Sequence, residues 1–144
     1  MKQEKYILYF LSKTKKKMIK FIESQLVEEG IEDLVPAYGN ILTVLYNNNG
    51  RLMMKDIAAI VGKDKSTITA LIKSLMKLGY VNKIKSEKDK RITYIELTKK
   101  SYGVKNKFDK ISNELNEKAY KGFSEEEKEM FLRLLKKMNN NFSY

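Results

Sequence analysis

Apolar residues recur along this chain at two spacings, and the change from one to the other marks out its parts. Over residues 6–27, Ile7, Phe10, Leu11, Met18, Phe21, Ile22 and Leu26 recur at helical spacing, and Glu29-Gly30 ends the run. Pro36 suits the first turn of a second helix, where its fixed φ fits and its missing N–H is not needed; Tyr38, Ile41, Leu42 and Leu45 form that helix's buried side. Asn47-Asn48-Asn49-Gly50 reads as a turn, and Gly50-Arg51-Leu52 as a short strand.

Two paired helices follow. The first runs from about Met54 to Val61 and buries Ile57, Ala58 and Val61; Gly62 supplies the backbone freedom for a tight turn. Asp64 sits where an N-cap belongs, with its carboxylate placed to accept the amide of Ser66 or Thr67. The second helix, Lys65 to Leu78, carries Ile68, Leu71, Ile72 and Leu75 as one apolar stripe. Ser66, Thr69, Ala70, Lys73 and Lys77 fall on the other side. Small hydroxyls near a helix start, with lysines further along, are what a helix entering the DNA major groove needs: the hydroxyls and amides reach base edges and phosphates, and the lysines meet the backbone.

After Gly79 the period changes to two. Val81 to Ser86 and Arg91 to Leu97 read as strands, the second alternating Ile92, Tyr94 and Glu96 against Thr93, Ile95 and Leu97. Glu87-Lys88-Asp89-Lys90 is the hydrophilic tip between them. Asp89 and Arg91, two apart on an extended chain, point to one side, so the carboxylate can hold the guanidinium in one orientation. An arginine held that way at a hairpin tip can enter a narrow minor groove, with Lys83, Lys85, Lys88 and Lys90 around it as phosphate contacts.

One further helix, beginning after Thr98, is expected to bury Val104, Phe108, Ile111, Leu115 and Ala119. Another, opened by the capping box of Ser124 to Glu127, is expected to bury Phe131, Leu134, Leu135, Met138 and Phe142. The predicted architecture is mainly α with a small β-wing: a winged helix-turn-helix flanked by N- and C-terminal dimerisation helices, six helices and three strands in all. Residues 36–98 form the DNA-binding lobe. Residues 1–35 and 99–144 form the helical dimerisation region, because their apolar stripes exceed what a small winged helix can cover.

Composition sharpens this picture mainly by exclusion. The 144 residues hold no cysteine and no histidine, which removes disulfides, thiol switches, thiolate or imidazole metal sites and most nucleophile-base pairs. No catalytic residue, cofactor or metal ligand is assigned. Ser74 and Lys77 match an S-x-x-K spacing, but both lie on the proposed DNA-facing helix. Without an apolar run of bilayer length or a signal-peptide segment, the protein is expected to be cytoplasmic. A formal charge of +11 and a pI near 9.6 favour a polyanionic partner. The cations are nearly all lysine, so position carries more than count, and only Arg51, Arg91 and Arg133 are arginine.

The run Gly62-Lys63-Asp64-Lys65-Ser66-Thr67-Ile68-Thr69, then L-M-K-L-G-Y-V over Leu75 to Val81, then Asp89-Lys90-Arg91 and Leu97-Thr98, resembles the MarR family of bacterial transcription regulators. The order of helices extends the resemblance over nearly the whole chain. It implies a homodimer whose terminal helices dimerise and whose winged lobes bind a palindromic operator in double-stranded DNA. The expected role is to repress, or alternatively to activate, a nearby promoter in response to a small anionic or phenolic effector. Carried over by position, Ser66, Thr67, Thr69, Ala70 and Lys73 lie at the major groove, and Asp89 and Arg91 form the minor-groove device; Lys65 and Lys77 on the same helix and Lys83, Lys85, Lys88 and Lys90 on the wing are added as DNA contacts from the residue pattern. Met53 departs from the Ser or Thr that often caps the first paired helix, implying a weaker helix start, and Ala70 replaces a residue that is often polar. Tyr6, Tyr9, Phe10, Tyr38 and Tyr46 are read as core or interface residues, and no ligand site is assigned to them. The alternative reading is a basic helical protein that binds RNA or lies on a membrane surface, without enzymatic activity.

Overall fold

The structure, a computed structural model, describes residues 2–142. A 3-10 turn at Gln3–Tyr6 leads into α1 (Ile7–Glu28), followed by α2 (Pro36–Tyr46), β1 (Arg51–Met53), α3 (Met54–Val61) and α4 (Lys65–Lys77). Then come β2 (Val81–Lys85), β3 (Thr93–Leu97), α5 (Lys99–Gly103), α6 (Lys105–Ala119) and α7 (Glu125–Asn140). The chain divides into two compact units, Met1–Ile111 and Ser112–Tyr144, with the boundary inside α6. Among the described residues no helix is long and apolar enough to cross a membrane.

The first unit is built on one core. Ile41, Leu42 and Leu45 from α2, Ile57 from α3 and Ile68, Ile72 and Leu75 from α4 meet Val81, Ile95 and Leu97 from the sheet and Leu26, Ile31 and Leu34 from the end of α1 and its loop. Each fully buried aliphatic side chain contributes about 1.5–3 kcal/mol of transfer free energy, so this cluster is the main force holding the unit. The sheet has the order β1-β3-β2 and is antiparallel throughout, with Leu52 opposite Ile95 and Lys83 opposite Ile95 on its other side. Phe108 and Ile111 of α6 close the core from the C-terminal side.

Local signals set most helix ends. Pro36 opens α2 at its first turn, and Asp64 accepts the Thr67 amide over 2.7 Å. Gly62 stands at φ +75°, and its amide closes α3 onto the Ala58 carbonyl. Met53, at the start of α3, makes no side-chain cap, as its departure from Ser or Thr implied.

Three expectations are corrected. The wing strands are shorter than the alternation predicts: β2 ends at Lys85 and β3 begins at Thr93, because Ser86 donates its amide to Ile92 O and Ile92 donates to Asp89 O, closing residues 86–92 as a turn. The single helix expected after Thr98 is two. Val104, at φ −102° and ψ 0°, separates α5 from α6, and Ser101 is drawn into the core, where its hydroxyl donates to Tyr80 O. Finally, only Phe108 and Ile111 of the α6 stripe are buried, with Val104 and Leu115 half-buried and Ala119 exposed; on α7 Phe131, Leu134 and Leu135 are exposed and Met138 half-buried, and Phe142 beyond it is exposed. The second unit is too small to cover an apolar face of its own.

Within that unit the Ser124–Glu127 capping box forms with both its bonds, and Phe123 packs edge-to-face on Tyr120 and Phe131. In the first unit Tyr46 is the polar centre: its ring meets Tyr102 and Phe108, and its hydroxyl donates to the Ser101 carbonyl. Burial pushes that hydroxyl's pKa up to about 12, with the Asp109 charge and Tyr102 adding to the effect.

A folded-state pKa above the ordinary 10 means that the Tyr46 proton stabilises the fold fully below pH 10, and that this contribution is lost as pH rises toward about 12. Chemical denaturation of Tyr46→Phe across that window should therefore show a shallower decline than wild type; parallel curves would refute the role. Gly50 stands at φ +81°, and a Cβ there would collide with the Tyr102 hydroxyl. Gly50→Ala should lower unfolding free energy by about 1–3 kcal/mol, partly recovered when Tyr102→Phe removes that hydroxyl, as read by urea titration.

Candidate nucleic-acid interface

The helix α4 is held on one side and open on the other. Ile68, Ile72 and Leu75 are buried, Leu71 is half-buried, and Lys65, Ser66, Thr69, Ala70, Lys73 and Lys77 are exposed. Thr67 is half-buried, and its amide is taken by the cap. Ser66 Oγ also donates to Asp64 Oδ1 over 2.8 Å, while Thr69 Oγ1 donates to the Lys65 carbonyl over 2.8 Å or to Met54 Sδ over 3.4 Å. Both hydroxyls are thereby oriented by the helix itself, with oxygen lone pairs left to accept. The Thr67 amide, and then the Ser66 hydroxyl, hold the Asp64 carboxyl below its ordinary pKa.

The wing tip is organised around Asp89. Its Oδ1 accepts both the amide and Nε of Arg91 over 3.0 Å each, and its Oδ2 accepts Nη2 over 3.0 Å. The Asp89 amide in turn donates to Ser86 Oγ over 3.3 Å. Arg91 thus projects from a turn rather than from a strand, and the carboxylate orients its guanidinium from two sides. The Arg91 side chain is 91% exposed, so the pairing fixes direction without covering the group. The guanidinium holds the Asp89 carboxyl below its ordinary range, and the carboxylate raises Arg91.

Lys83 and Lys85 are exposed on β2, and Lys88 and Lys90 are exposed at the tip. Among the described residues none of Lys65, Lys73, Lys77, Lys83, Lys85, Lys88 and Lys90 makes an ion pair. Every predicted site residue except Thr67 and Asp89 is exposed, and those two serve the α4 cap and the arginine.

Sequence reading missed three partners here. Ser86 supports the wing turn, and Arg51 of β1 donates to Glu96 over 2.6 Å while lying 5.3 Å from the Tyr94 ring centre, which ties the third strand to the wing. Asp33 accepts the Tyr80 hydroxyl over 2.7 Å and Lys100 Nζ over 3.0 Å. Burial raises the Asp33 carboxyl, but the bonds from Tyr80 and Lys100 and the lysine charge outweigh it and leave it below its ordinary value. Among the described residues there is no group of three or more carboxylates that could hold a metal. Ser74 is half-buried and Lys77 exposed, so the S-x-x-K spacing assembles no enclosed site.

The MarR family model matches residues 32–92, from the loop after α1 to the end of the wing turn. Over these residues, a little under half of the chain, it is similar to that family. Over 136 residues it is 26% identical to the HTH-type transcriptional regulator BilQ of Clostridium symbiosum, covering 94% of this chain and 91% of that protein. The S. aureus MepR–DNA complex superposes with a TM-score of 0.83 at 23% identity, covering 94% of this chain and 98% of that one. The RdhR regulator in its 2,4-dichlorophenol-bound form gives a TM-score of 0.82 at 19% identity, covering 99% and 82%. MarR proteins are transcriptional regulators rather than enzymes.

Proposed function

We propose that this chain is a cytoplasmic, homodimeric repressor of MarR type that reads a palindromic operator in double-stranded DNA and lets go on binding a small anionic or phenolic effector. The observation that carries the reading is the pairing of two pre-shaped surfaces. One is an α4 whose exposed side bears oriented hydroxyls and unpaired lysines; the other is a wing arginine aimed by Asp89 into solvent. On this reading Lys65, Ser66, Thr69, Ala70, Lys73 and Lys77 face the major groove, Arg91 enters the minor groove, and Lys83, Lys85, Lys88 and Lys90 meet phosphates.

Homodimerisation is supported by exposed apolar side chains on the terminal helices: Ile7, Leu8 and Phe10 on α1, and Phe131, Leu134 and Leu135 on α7. A twofold dimer would bury them against their own copies and present two α4 helices to one duplex. The likeness to a DNA-bound MepR supports the groove assignment, and the likeness to RdhR with 2,4-dichlorophenol supports a phenolic effector.

Titration of a labelled duplex, selected from a randomised library by the wild-type protein, should show affinity falling steeply with salt, with a log-log slope of about −0.9 per phosphate contacted. Arg91→Ala should weaken that binding by roughly tenfold to a hundredfold, whereas Lys105→Ala, the same charge change on α6, should leave it within about threefold. Adding 2,4-dichlorophenol should release the duplex. Equal losses from both substitutions would remove any special role for the wing, and preference for structured RNA over every duplex would overturn the DNA reading. Sedimentation should give a dimer for wild type and a monomer for Leu134→Glu, with selected-duplex affinity down by at least about tenfold, because one charge buried in an apolar interface costs several kcal/mol. A Leu134→Glu protein that stays dimeric rules out the α7 face.

A further inference from the structure

Three contacts converge on the ammonium of Lys100, the second residue of α5. Nζ lies 3.0 Å from Asp33 Oδ2, donates over 2.7 Å to the carbonyl of Leu78, and stands 4.3 Å from the centre of the Tyr80 ring. Leu78 is the C-cap of α4, so its carbonyl is one of the acceptors a helix end leaves unpaired, and a cation there is also favoured by the negative end of the helix dipole. Two residues on, Tyr80 is only 2% exposed and donates its hydroxyl to Asp33 Oδ1 over 2.7 Å. One carboxylate therefore grips the end of α4 twice, through the tyrosine and through the lysine.

Asp33 sits in the loop between α1 and α2, and that loop is itself fastened. Ile31 and Leu34 are buried in the core. At its start Glu29 receives Lys107 Nζ on its carbonyl over 2.8 Å and pairs with Lys110 over 2.7 Å. The Lys100 and Asp33 side chains are 46% and 36% exposed, so their ion pair alone adds little stability. Its effect lies in geometry: three segments distant in sequence are joined at the point where α4 stops.

We propose that Asp33 and Lys100 are positioning residues for DNA reading, locking the end of α4 to the loop after α1 and so setting the tilt at which its hydroxyl- and lysine-bearing side enters the groove. The proposal rests on the DNA-binding reading above. Neither residue lies on α4 or on the wing.

Charge alone predicts the opposite outcome, which makes the test decisive. Asp33→Asn removes a negative charge from a cationic protein, and by itself that favours duplexes of any sequence. If Asp33 positions α4, the variant should bind the selected duplex about 3- to 10-fold more weakly than wild type, the scale of one ordinary intramolecular hydrogen bond, while binding a shuffled duplex of equal composition as well or better. Tyr80→Phe, which removes only the hydroxyl bond, is a milder variant expected to shift the ratio in the same direction. Hydrogen exchange should quicken at the amides of residues 78–81 in both variants and stay unchanged at residues 57–61. An unchanged ratio of selected to shuffled affinity overturns the proposal whatever exchange does. If wild type selects no duplex, the DNA reading has failed, and exchange alone then decides whether the lock exists.

Discussion

Burial of Ile68, Ile72 and Leu75 fixes the rotation of α4 about its own axis, and the features of the proposed DNA-facing side depend on that rotation. A helix turned by one residue would bring about 100° of its surface round, exposing this stripe and driving Lys73 and Thr69 into the core. Each of the three side chains contributes about 1.5–3 kcal/mol by leaving water, so the set outweighs any single contact the open side could make. The open side is therefore free of structural duty. Its composition of hydroxyls, one alanine and lysines places no bulky or acidic group between the helix backbone and a partner, and the Asp64 cap holds the first turn in place.

The wing works by a different balance. Arg91 is almost wholly in water, where an ion pair contributes little to folding. The bonds from Asp89 instead restrict a long side chain before any partner arrives, which lowers the ordering cost when it binds. The turn supplies the leverage: with residues 86–92 closed on themselves, the backbone amide and the guanidinium of Arg91 both face one carboxylate, a geometry a continuous strand would not give. Arg51 and Glu96 on the neighbouring strands brace the sheet behind it.

Features fixed within a few residues were legible in the sequence. Pro36 at a helix start, Gly62 in a left-handed turn, the Asp64 cap and the Ser124 box each act through the nearest backbone amides, and each stands where its type and spacing imply. The order of helices and strands was legible for the same reason, since period alone separates α4 from the wing. Ser86, Arg91 and Ile92 read as strand ends because Ile92 continues the alternation of Tyr94 and Glu96, and alternation does not register a hydrogen bond from Ile92 back to Asp89. The break at Val104 was hidden because Val104, Phe108 and Ile111 keep helical spacing across it. The contacts of Asp33 with Tyr80 and Lys100 cross 47 and 67 residues, and no local pattern marks a long-range pairing of common residue types. Periodicity also reveals that α7 has an apolar side without saying what covers it.

The distribution of lysine shows why charge alone was a poor guide. Lys100, Lys105, Lys110 and Lys128 each pair with a carboxylate. Among the described residues the lysines of α4 and the wing do not, but neither do Lys13, Lys15, Lys16, Lys17 and Lys20 on α1. Unpaired cations thus occur on both surfaces, and either would attract a polyanion through counterion release. Fixed donors and acceptors separate the two. On α4 the hydroxyls are held by Asp64 and by the helix carbonyl of Lys65, and on the wing one guanidinium is held by Asp89, whereas among the described residues no side-chain hydrogen bond orients Ser12, Thr14 or the lysines of the α1 stretch. Mobile charge gives attraction without register, while groups held in place can discriminate one arrangement of base edges from another. That difference in how the groups are held, more than the net charge of +11, favours α4 and the wing for the proposed sequence-reading role.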